Sequence, residues 1–91
     1  MHHFRGTLLE GEQIRLDPAN VYIQFHHPKA TGPVEGWNGY LVVAPETDVS
    51  PGASYTLKLM DGRAGALRVQ RLEPDDTGKL RAYFIGDGLL E

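Results

Sequence analysis

The chain contains no cysteine among its 91 residues. That excludes a disulfide framework, a zinc–thiolate centre and a thiol nucleophile. Long apolar runs are missing too. Met1-His-His-Phe-Arg5 leads into no hydrophobic stretch, and no segment approaches the roughly 20 apolar residues of a membrane span. Neither a signal peptide nor a membrane anchor is expected, and the expected compartment is the cytoplasm. Positive charge is not in excess: nine Lys and Arg face twelve Asp and Glu, for a net charge of −3. Proteins that bind nucleic acid through phosphates usually show a basic surplus, so nucleic acid is a disfavoured partner, although a local basic face stays open. No stretch of ten residues carries helical periodicity without a Gly or Pro inside it, which removes long helices.

Turn formers are plentiful, with eleven Gly and six Pro. Between them the apolar residues alternate. Val21, Ile23 and Phe25 share one side, and Tyr22, Gln24 and His26 the other. Leu41 and Val43 continue from Trp37, and Tyr55, Leu57 and Leu59 repeat the pattern. Period two over short runs marks half-buried strands. Strands are predicted at about 3–9, 12–16, 21–27, 37–44, 54–60, 63–72 and 79–85, with ends uncertain by about two to four residues. Glu10-Gly11 reads as a tight reversal and Asp17-Pro-Ala-Asn20 as a turn. His27 to Gly36, Pro45 to Ala53 and Glu73 to Gly78 read as connecting loops. One domain, residues 1–91, is expected at this length.

The segment SYTLKLMDGRAGALRVQ, residues 54–70, holds Asp61-Gly62-Arg63 at its centre. A two-residue turn would pair Met60 with Arg63 and put Leu67 on the solvent side. Pairing Leu59 with Arg63, with Gly62 as a left-handed bulge residue, sets Leu57 against Gly65 and Tyr55 against Leu67. The large apolar residues then share one side. A one-residue slip reverses every side chain, so burial selects the second register. The triplet is a bend: Gly62 supplies positive φ and Asp61 accepts turn amides. Extending the same face predicts Val69 opposite Ala82, Leu67 opposite Phe84 and Arg68 opposite Tyr83.

Six or seven short antiparallel strands with one apolar face must roll over a single core. The expected fold is all-β, a small antiparallel barrel or strongly curved sandwich. The expected core is Leu8, Ile14, Val21, Ile23, Phe25, Trp37, Leu41, Val43, Tyr55, Leu57, Leu67, Val69, Leu80 and Phe84. Gly39 and Gly65, inside strands, predict close backbone approach.

Chemistry is sparse. The histidines form two adjacent pairs, His2-His3 and His26-His27, and neighbours on a strand point to opposite faces, so neither pair holds an ion alone. The carboxylates fall mainly in turns, Asp75-Asp76 among them. Ser50 and Ser54 lack a histidine or nucleophile-elbow context, and no phosphate-binding loop is present. No catalytic residue, metal ligand or cofactor is expected, and the chain does not read as an enzyme. The strand exteriors say more. Tyr40, Arg68, Arg81 and Tyr83 are the expected binding residues, with Tyr22 and Lys58 also outward. Tyr and Arg suit interfaces because they combine contact area with polar tips. The expected role is a non-catalytic module binding a macromolecular partner, a protein by preference. Self-association through exposed edge strands is a further expectation. The alternative is a small-ligand, nucleotide or single-stranded nucleic-acid binder that stacks bases on tyrosines with arginine support.

Overall fold

A computed structural model describes residues 1–26 and 36–91. Six strands form: β1 (His2–Glu10), β2 (Gln13–Phe25), β3 (Trp37–Val43), β4 (Ser54–Leu59), β5 (Ala64–Pro74) and β6 (Leu80–Asp87). They close into an antiparallel barrel in the order β1-β2-β3-β6-β5-β4, with β4 returning to β1. Of the two architectures expected, the barrel is the one adopted. The predicted loop over residues 27–35 lies outside the described residues, as does His27. Among the described residues no helix is long and apolar enough to cross a membrane.

The Asp-Gly-Arg segment folds as its alternation requires. Tyr55 pairs with Leu67 and Leu57 with Gly65. Leu59 donates its amide to the Arg63 carbonyl at 2.8 Å, and Gly62 donates to the Leu59 carbonyl at 3.0 Å. Gly62 has φ of 99°, where a side chain would be strained. Asp61 Oδ1 accepts the Arg63 amide at 3.0 Å, while Oδ2 holds the Arg63 guanidinium.

Three expectations are corrected. The turn at Asp17-Pro-Ala-Asn20 is absent, because β2 runs straight through it. Leu8 pairs with Leu16 while Gly6 pairs with Ala19, and Leu9 pairs with Ile14, so β2 carries an extra residue at each of two shifts. Bulges bend and twist a strand and leave a residue unpaired, which accommodates a proline that cannot donate to the ladder. β2 thereby coils along β1 and meets β3 only from Asn20 to Phe25. Ile14, expected in the core, is 60% exposed on the half of β2 that lacks β3. Finally, Val69 pairs with Phe84 and Leu67 with Gly86, because the hairpin closes with Pro74 opposite Leu80, a different register from the one extended out of Leu67 and Val69, and Gln70 then adds one extra residue to β5. Arg68 consequently lies opposite Ile85, and Arg71 opposite Tyr83.

The barrel is filled by apolar side chains. Leu8, Val21, Ile23, Leu41, Leu57, Leu67, Val69 and Phe84 are buried, joined by Leu59 and Ala82 of the same alternating face and by Ala19, Val49 and Leu90, which period counting passed over. Phe25 and Leu80 are partly buried against them. Trp37 is 1% exposed. Its ring packs edge-on to Phe84 and donates its Nε1 hydrogen to the Gly88 carbonyl at 3.0 Å. A Cβ on Gly86 or Gly65 would overlap the indole, so both glycines are room for it. No polar or charged residue is buried among the described residues.

Candidate binding face

The pairing registers place the exteriors of β1, β2, β3, β6 and β5 in rows that run across the barrel. The middle row is His3, Tyr22, Tyr40, Tyr83 and Arg71. Its ring centroids lie 4.8, 5.0 and 5.5 Å apart from His3 to Tyr83. Those distances repeat the spacing between strands, about 4.8 Å. Rings so close cannot lie side by side in one plane. They stand up from the sheet and press face to face, within 27° for His3–Tyr22 and 23° for Tyr22–Tyr40. Cross-strand aromatic pairs of this kind stabilise a sheet by about 0.2–1 kcal/mol each.

Arginines cover what the neighbours leave. The Arg71 guanidinium sits 4.2 Å from the Tyr83 centroid and the Arg81 guanidinium 4.6 Å from that of Tyr40. The Tyr83 hydroxyl, and secondarily Tyr40, push the Arg81 guanidinium above its ordinary range. A guanidinium laid over a ring keeps its N–H edge free for a partner.

The row on one side is Arg5, Asn20, Val42, Arg81 and Glu73, and on the other Gln24, Asn38, Ile85 and Arg68. Four arginines and one glutamate occupy these rows. Arg71 is ion-paired with Glu73. Among the described residues, Arg5, Arg68 and Arg81 have no carboxylate within ion-pair distance. Besides Glu73, Asp87 borders the face at the end of β6, two residues beyond Ile85, and most other acidic residues lie in turns. Asp75, for example, accepts from the Thr77 and Lys79 amides and the Thr77 hydroxyl at the β5–β6 turn, which lowers its pKa. A chain of net charge −3 thus carries a local basic face.

Of the residues expected to bind, Tyr40, Arg81 and Tyr83 are brought together. Arg68 belongs to the same face but stands one row from Tyr83, beside Ile85 and across from Ser54 of β4. Arg71 takes the place expected for Arg68. The sequence does hold its signal: apolar residues fall at 67 and 69 and then at 72, a step of three that marks the extra residue. His3 and Arg5 carry no comparable signal, since only the β1–β2 register joins them to the row. Closure gives every strand a neighbour on both sides along part of its length, and the first half of β2 keeps an edge that β3 does not cover. Among the described residues there is no group of three or more His, Asp or Glu placed to hold a metal ion.

No family model matches the chain, and no curated protein or solved structure matches it.

Proposed function

We propose that this protein is a non-catalytic β-barrel module that binds a protein partner across the face centred on Tyr40, Tyr83 and Arg81. The observation that carries this reading is a row of ordered aromatic rings flanked by arginines, three of which have no ion-paired carboxylate among the described residues. Arginine and tyrosine are the side chains that most often dominate interface energetics. Here they are held in place by their neighbours, so little side-chain entropy is lost when a partner arrives. The alternative of base stacking needs open ring faces. In this row the faces of Tyr22, Tyr40 and Tyr83 are turned to adjacent rings or guanidinium groups, and the partner is offered hydroxyls and N–H edges instead. The apolar barrel interior, without a buried polar or charged residue among the described residues, likewise favours an exterior site over a ligand chamber.

Quantitative capture of partners tests the reading. Wild type is compared with Arg81→Ala/Tyr83→Ala and with Lys58→Ala on β4 as a control, after melts show all three folded. Loss of one protein with the double variant and its retention with the control are expected. Identical recovery by all three would overturn the proposal, and capture abolished by nuclease would transfer the face to nucleic acid.

A further inference from the structure

The charge arrangement says which chemistry the partner brings. This inference rests on the protein-binding reading above and narrows it. Three guanidinium groups without an ion-paired carboxylate among the described residues are an unusual provision in a chain with more carboxylates than basic residues. Glu73 stands opposite Arg81 but is ion-paired with Arg71 on its own strand, which leaves the Arg81 guanidinium without a bridged carboxylate. Desolvating an arginine against a neutral surface is unfavourable, whereas a carboxylate accepts two parallel N–H bonds from it.

The face also has an apolar component. Ile85 is 52% exposed and Met1 64% exposed. They border an open depression of about 370 Å³ together with Asn38, Gln70, Arg71 and Tyr83. Arg81 and Ile85 are four residues apart on β6, and Arg68 pairs with Ile85. Arg81 and Arg68 therefore stand about 13 Å apart along the strand direction, which four residues of extended chain span.

We propose that the face takes an extended acidic protein segment, with carboxylates about four residues apart meeting Arg81 and Arg68 and an apolar side chain between them entering the depression beside Ile85.

Three labelled probes test this by anisotropy at low and moderate salt. One is a peptide of about ten residues with two glutamates four positions apart and valines between them. The second carries lysines for the glutamates, and the third is an oligothymidylate of similar length. The glutamate peptide should bind best and weaken about tenfold or more in Arg68→Ala/Arg81→Ala, as loss of interface arginines does. Arg68→Glu/Arg81→Glu, confirmed folded by its melt, should reverse the preference and take the lysine peptide. A glutamate peptide that binds no better than the lysine peptide, or tighter oligothymidylate that displaces it, would overturn the acidic-segment assignment. If that happens while Arg81→Ala/Tyr83→Ala still loses its captured protein, only the charge of the partner is wrong. If capture is also unchanged, the binding face itself falls.

Discussion

Two segments of this chain begin with aspartate and carry the residues of a turn, and only one of them turns. Asp61-Gly62 reverses the chain between β4 and β5. Asp17-Pro-Ala-Asn20 continues β2 without a break. The difference lies in what flanks them. Around Asp61 no ladder crosses the reversal: the bonds to β1 end at Met60, whose amide donates to the Arg5 carbonyl, and Asp61-Gly62 lie beyond them, so local chemistry decides. Around Asp17 the ladder to β1 runs on both sides, from Gln13 to Ile23, and β3 takes over from Asn20. Burial of Ala19, Val21 and Ile23 at 0% exposure rewards the extended path. Turn residues thus express a preference that a competing ladder overrides, and two bulges absorb the misfit.

The sharpest way to break this comparison is Ala19→Asp. A surface turn would welcome aspartate. At a fully buried strand position it leaves a charge unpaired, and the loss should exceed about 4 kcal/mol, enough to unfold a domain of ordinary stability. A mutant as stable as wild type in urea would restore the turn.

Trp37→Ala sets the scale for the interior, away from either bend. Removing the indole that fills the space over Gly65 and Gly86 should cost about 3–5 kcal/mol. The native tryptophan should emit as a buried indole. Emission characteristic of full water exposure would contradict the packing.

Gly62→Val probes the true turn. Left-handed strain on a β-branched residue should cost about 1–2 kcal/mol in urea melts. An unchanged midpoint would remove the positive-φ requirement.

The smallest effect is the acid dependence of Asp61. The Arg63 side-chain hydrogen bond lowers its pKa, with the Arg63 amide and charge adding to it against slight burial. A carboxylate depressed in the folded state contributes stability above its unfolded pKa and loses it as pH falls through the folded value. Asp61→Asn should therefore lie about 0.2–1 kcal/mol below wild type at neutral pH, as exposed pairs do. That gap should close as pH falls below the ordinary aspartate range. A gap of the same size in acid would assign the contribution to turn geometry alone.

The face was partly legible before the fold was known. Alternation alone sends Tyr22, Tyr40 and Tyr83 outward, because strand side chains alternate whatever the partner strand is. It could not say that the three share one row, since that requires knowing that β3 lies between β2 and β6. Arg68 was assigned to Tyr83 by carrying an unbroken register across the β5–β6 hairpin. The turn instead sets Pro74 opposite Leu80, which brings Arg71 to Tyr83, and the bulge at Gln70 shifts the pairing beyond it by one residue, which brings Arg68 to Ile85.

The sequence by itself determined an all-β chain, the reversal at Gly62, the β4–β5 register and most of the buried residues. Each depends on neighbours in the chain or on the side of a strand, and both are written in composition and period two. Tertiary structure alone decided the strand order, the continuous β2, the β5–β6 register and the union of His3, Tyr22, Tyr40, Tyr83 and Arg71 in one row. These depend on which strands meet across long sequence separations. That choice is made by the closed barrel's shared core and unbroken hydrogen-bond ladder, which no short window of residues contains.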